Sequence, residues 1–100
     1  MMNHNEDNID AATIKAVGLK LTNVPINAVI APSARIFEYP HLENVYIMES
    51  DLYGNTMPKD SCFLAFEGVH GLIGKHLKVE TLKNATVEDI KNIVESNQEG

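Results

Sequence analysis

Three residues that carry chemistry fall close together between Ser61 and Lys83. They are the only cysteine, Cys62, and two of the four histidines, His70 and His76. A thiol becomes a nucleophile when a base within hydrogen-bond reach raises its thiolate fraction. Cys62 with His70 or His76 would have the right parts for a Cys/His enzyme. Against this, Cys62 stands in the apolar run Cys-Phe-Leu-Ala-Phe, where a thiol normally serves as an inert core residue. His76 alternates with Lys78 and Glu80 on what reads as a wet face. The sequence therefore names no catalytic residue.

The glycines of the same stretch suggest a different chemistry. Gly68, Gly71 and Gly74, followed by Lys75, could let backbone N–H groups approach an anion. The spacing matches neither a Walker loop nor a dinucleotide fingerprint. The competing reading is a tight bend built from permissive residues. Arg35 is the only arginine beside seven lysines. Its planar fork suits a carboxylate or phosphate, or a plain ion pair. Together Arg35, Gly68, His70, Gly71, Gly74 and Lys75 make the candidate ligand set. That set would bind an anionic metabolite or nucleotide at the Gly68–Gly74 bend.

Metal ligands are present by type in Asp60, Cys62, His70 and His76. They lack the short paired spacing of zinc sites, so no metal or other cofactor is expected. Glu38, Glu43, Glu49, Asp51 and Asp60 all lie in polar segments and read as solvated surface. Tyr39, Tyr46 and Tyr53 are amphipathic and form the candidate interface set.

These residues need elements to position them. The chain has 100 residues, 44% hydrophobic and 22% charged, which suits one globular domain. A short helix capped by Asn8 or Asp10 follows, with Ile9, Ala12, Ala16 and Val17 roughly on one face and Thr13 and Lys15 outward. Gly18 stops it, and Leu19 and Leu21 then alternate with Lys20 and Thr22 as in a strand. The competing reading continues the helix to Leu21. Pro25 interrupts, Asn27 to Ala31 is a short apolar run, and Pro32-Ser33 breaks it. Residues 34–39 and 44–49 read as strands of a hairpin around Pro40 to Glu43. Gly54-Asn55 signals a turn. Residues 62–66 read as a strand buried on both faces, and 75–82 as an alternating strand. Thr86 with Asp89 resembles a capping box opening a helix whose stripe is Val87, Ile90, Ile93 and Val94.

The order predicts an α+β fold: a small antiparallel or mixed sheet of four to six short strands, with a short N-terminal helix and a C-terminal helix on one face. Residues 1–8 read as a flexible acidic arm, 9–95 as one α+β domain, and 96–100 as a frayed tail.

Net charge is −6, with the acids concentrated at the two ends. No basic cluster suits nucleic acid, and an anionic membrane surface is disfavoured for the same reason. The N-terminus lacks a basic start and an apolar run, and one cysteine allows no internal disulfide, so a cytoplasmic location is expected. The function expected from these features is a non-catalytic protein-binding module. It would be a small acidic inhibitor, immunity-type or accessory protein whose partner is another protein, the acidic ends suiting a basic one. A homodimer is expected to cover sheet edges and enlarge a small core.

Overall fold

The computed structural model describes residues 8–22 and 35–98. The expectations for the arm before Asn8, for Pro25, the Asn27 to Ala31 run and Pro32-Ser33, and for residues 99–100 lie outside the described residues.

The fold is the expected α+β arrangement. A seven-residue helix, α1 (Ala11–Val17), leads into β1 (Lys20–Leu21), β2 (Ile36–Glu38), β3 (Val45–Met48), β4 (Ser61–Gly68) and β5 (Gly71–Lys78). Two helices follow, α2 (Val79–Asn84) and α3 (Val87–Asn97). The five strands lie in chain order β1-β2-β3-β4-β5, every neighbour antiparallel. The β2–β3 and β4–β5 connections are short, and each strand pairs with the one before it.

Local chemistry explains the boundaries. Asp10 caps α1, its Oδ1 accepting from the Thr13 N–H at 2.8 Å and the Thr13 hydroxyl at 2.7 Å. These bonds, the hydroxyl's first, hold the Asp10 carboxyl below the usual carboxylate range. Thr13 is buried, not outward, while Ala12 and Ala16 are exposed. Its hydroxyl could be buried because Asp10 already satisfies it. Gly18 ends the helix, donating its N–H to the Ile14 carbonyl at 2.9 Å, and the strand reading of Lys20-Leu21 holds. At α3 both halves of the Thr86–Asp89 capping box form, at 3.1 and 2.9 Å.

The expected strand to Leu82 stops early. β4 begins at Ser61, so after a last bond from the Val79 N–H to the Asp60 carbonyl at 2.9 Å the chain has no ladder to pair with. Its backbone groups turn instead into α2, which buries Leu82. α3 runs past the expected end of the domain, to Asn97. Gln98 accepts the Val69 N–H at 2.8 Å, so this stretch is tied to the β4–β5 hairpin.

The sheet separates two apolar clusters. On the helix-covered face, Phe37, Tyr39, Val45, Ile47, Cys62, Leu64, Phe66 and Leu77 pack with Ile9, Leu82, Ile90 and Val94. On the opposite face, Met48, Phe63 and Ala65 pack with Met57, flanked by Ile36, Tyr46, Leu52 and Leu72. β4 contributes to both, and its residues Ser61 to Phe66 are all buried. The expectation of a strand covered on both sides is met.

Candidate functional site

Two places in the fold gather polar chemistry. The first is a row across the helix-covered face. Arg35 and Glu49 extend the β2–β3 ladder beyond Ile36–Met48, with the Glu49 N–H donating to the Arg35 carbonyl at 3.2 Å. Continuing the β3–β4 register from Met48–Phe63 sets Glu49 beside Cys62, which pairs with Leu77. Arg35, Glu49, Cys62 and Leu77 thus form one transverse line.

The Arg35 fork is committed within this line. Its Nε donates to Glu49 Oε1 at 2.8 Å, and its Nη2 donates to Glu49 Oε2 at 2.8 Å and to the Ile9 carbonyl at 2.7 Å. Glu49 Oε2 also accepts the Ile9 N–H at 2.9 Å. One ion pair therefore holds both backbone groups of Ile9, whose side chain is fully buried in the core. The guanidinium also stands 5.1 Å from the Phe37 ring centroid, within cation–π range. The preceding residue joins the grip. The Asn8 side-chain amide donates to the Pro58 and Ser61 carbonyls, both at 2.8 Å. Asn8 was expected in a flexible arm and is instead anchored.

This geometry corrects two sequence expectations. Glu49, read as solvated surface, is 9% exposed. Arg35, placed in the ligand set, grips its own chain through a bidentate carboxylate pair. A signal for it was present: Arg35 and Glu49 stand equally far from Leu42, at the centre of the hairpin loop, so pairing must set them opposite each other.

Cys62 completes the line but not a nucleophile. It is fully buried, and its thiol is pushed up to about 12 by desolvation and by the adjacent Glu49 charge. His76 pairs with Phe63, the next residue along, so its side chain lies on the opposite face of the sheet from Cys62. The imidazole instead meets the Phe63 ring edge-on, with centroids 5.5 Å apart. His70 lies exposed in the hairpin turn, well along β4 from the thiol. Neither histidine is placed to serve Cys62 as a base.

The second place is β5 and its hairpin. Gly68 pairs with Gly71 across the two-residue turn Val69-His70. Gly71 has φ +127°, which strains any residue with a side chain. Gly74 sits mid-strand for another reason: the Phe63 ring occupies the space where a Cβ would project. Gly68 is similarly closed over by Ile73. The glycines thus shape a hairpin and seat an aromatic ring. Lys75 pairs with Leu64 and so lies on the helix side of the sheet, whereas Gly74 lies on the other. The expected ligand set divides into a turn (Gly68, His70, Gly71), a mid-strand pair on opposite faces (Gly74, Lys75), and Arg35. From the Cys62 row to Gly68 is about 20 Å along β4 at roughly 3.3 Å per residue. The fold does not bring these six residues together.

The tyrosines also part. Tyr39 is 3% exposed in the core, where desolvation raises its phenol above the usual value, and it offers no interface surface. Tyr46 is half-buried on the open face. Tyr53 is 86% exposed at the tip of a loop that Asp51 ties by accepting the Tyr53 and Asn55 N–H groups.

A shallow hollow of about 280 Å³ lies beside the β2–β3 loop, lined by Glu38, Leu42, Glu43, Asn44, Val45 and Tyr46. Among the described residues, no three His, Cys, Asp or Glu side chains converge to hold a metal, and no helix is long and apolar enough to cross a membrane.

Among the described residues, no strand covers the outer side of β5. Among the described residues this eight-residue strand has one strand neighbour, β4. Alternate N–H and C=O groups of an edge strand point away from its sheet. Gly71, Lys75, His76 and Lys78 are exposed along it. Sequence reasoning recognised the strand but not that it would lie at an edge, because strand order is set by pairing across the chain. No protein-family model, curated protein or solved structure matches this chain.

Proposed function

We propose that this protein is a non-catalytic protein-binding module, of the small inhibitor, immunity-type or accessory kind, that engages its partner along the β5 edge. The open edge of β5 carries this reading. An extended segment laid against it would gain a ladder of main-chain hydrogen bonds, while alternate side chains set specificity. The residues best suited to chemistry support the same reading by their engagements: Arg35 with Glu49 and Ile9, and Cys62 within the core. A lone buried thiol suits a reducing, cytoplasmic setting, which belongs to this proposal.

The homodimer expected from sequence would use the same edge less well. Two antiparallel β5 strands would gather the Lys75 and Lys78 side chains of both copies along one seam. Amide hydrogen exchange tests the proposal. A partner protein purified to homogeneity should protect amides of Gly71 to Lys78 on binding and leave the Val45 to Met48 amides unchanged. Protection confined to another surface would overturn the assignment.

A further inference from the structure

The charge along β5 narrows the class of segment that it fits. Lys75 and Lys78 are the lysines of this strand, and it holds no acid. They differ in their surroundings. Lys78 donates to Asp60 Oδ2 at 2.9 Å in an exposed pair, which water screens and which contributes little. Lys75 makes no ion pair among the described residues. Asp60 and Glu67 stand before and on β4, and Asp51 lies near enough to His76 to interact with it electrostatically. A strand added outside β5 would place its side chains about 5 Å from those of β5, nearer to Lys75 and Lys78 than to the β4 side.

The two faces sort the contacts. On the helix side, an added strand would run beside Ile73, Lys75 and Leu77, and on the other beside Leu72, Gly74, His76 and Lys78. Each face thus offers an apolar position and a cation. Opposite charges directly across a ladder stabilise it, and like charges oppose it. We infer that the β5 edge takes an extended acidic segment of a partner protein, with a carboxylate opposite Lys75 on one face and another opposite Lys78 on the other. This inference rests on the proposed use of the edge and adds the chemistry of its occupant. It departs from the basic partner suggested by the acidic ends of the chain. Those ends would act at long range, whereas Lys75 and Lys78 are the contacts an added strand meets.

Random eight-residue peptides displayed on phage, panned against the full chain, test it. Selected sequences should be enriched in Asp and Glu at alternating spacing with apolar residues. A synthetic selected peptide should shift the β5 amide resonances and bind at least tenfold more weakly after Lys75→Glu, but not after Lys75→Arg. N-methylation at alternate peptide amides, which removes ladder donors, should abolish binding. Lys75 is exposed, so both variants should melt as the parent does, separating lost binding from lost folding. Peptides that shift β5 amides without acidic enrichment would overturn this inference and leave the edge reading intact. Peptides that shift other amides, or none selected, would overturn both. A sedimenting dimer with protected β5 amides would give the edge to a second copy and overturn the inference.

Discussion

The two ends of the residue line Arg35–Glu49–Cys62–Leu77 teach different lessons about polar groups in a small fold. At the β2–β3 end, charge is turned inward. Glu49 and Arg35 are spent on each other and on Ile9, and no buried side-chain nitrogen or oxygen among the described residues lacks a partner. At the β5 end Leu77 joins the core, while the neighbouring Lys75, His76 and Lys78 face outward and the glycines of the strand serve packing and turning. A motif-like cluster of cysteine, histidines and glycines marks the second region in sequence, yet its cysteine belongs to the closed core. Proximity in sequence joins what alternation along strands then divides. One residue's step from Cys62 to Phe63 sends the thiol to one face and the ring that meets His76 to the other.

The sharpest way to break this contrast is through Cys62. With its thiol raised from 9.0 to about 12, the thiolate fraction at neutral pH should be about a thousandfold below that of a free cysteine. Alkylation by iodoacetamide should be slower by at least that factor and reach the free-thiol rate only in denaturant. Rapid labelling of the folded protein would place Cys62 with the open region. The same shift has a thermodynamic consequence. The folded state holds the proton, whereas the unfolded thiol releases it near its ordinary value. Stability from this group is therefore complete below about pH 9 and declines as the pH rises toward 12. Urea melts at pH 8 and pH 10.5 should show the decline, and Cys62→Ala should reduce it, leaving the part that the raised Tyr39 phenol contributes.

Next comes the ion pair that holds Ile9. Glu49→Ala leaves the guanidinium and the Ile9 N–H without their acceptor in a mostly buried place. Removing one partner of a buried pair costs about 3 kcal/mol, which lowers the melting temperature of a domain this size by about 15 °C. Replacing both, as Arg35→Met with Glu49→Leu, should cost less than Glu49→Ala alone, because no buried charge is stranded. If the double variant is the weaker, the pair does more than satisfy itself, and its hold on the Ile9 backbone is the larger part.

Legibility in the sequence followed the range of the interactions. Signals made within a turn of chain read correctly: the Thr86–Asp89 box, the Gly18 stop, the turn at Gly54-Asn55. Apolar alternation gave the strands, because burial on one face acts residue by residue. Side chains whose partner lies on another strand were misread. Glu49 looked solvated since its neighbours in sequence are polar, and only Arg35 and the Ile9 backbone make its burial possible. Thr13 failed for the reverse reason, a polar side chain silenced by a neighbour three residues away. The candidate ligand set failed because it assumed that glycines near a lysine face one place, whereas Gly74 and Lys75 lie on opposite faces.

The smallest expected effect tests the open region. Gly74 is exposed enough to tempt replacement by a better strand former, and β propensity alone would favour valine. The structure argues for the opposite sign. A Cβ at this position would enter the ring of Phe63, a nearly buried side chain held between Met48 and His76. Overpacking of this sort costs roughly 1–3 kcal/mol, and the exposed side of the strand lets the ring give way in part, so Gly74→Ala should cost about 1 kcal/mol. The cost should vanish in a Phe63→Leu background, where the space over position 74 is free. A double-mutant cycle in urea then reads a coupling of about 1 kcal/mol between residues eleven apart in sequence. A coupling near zero would mean that the ring does not need the glycine. Gly74 would then be present for its backbone, as an approach for an added strand, and its substitution should weaken peptide binding without lowering the melting temperature.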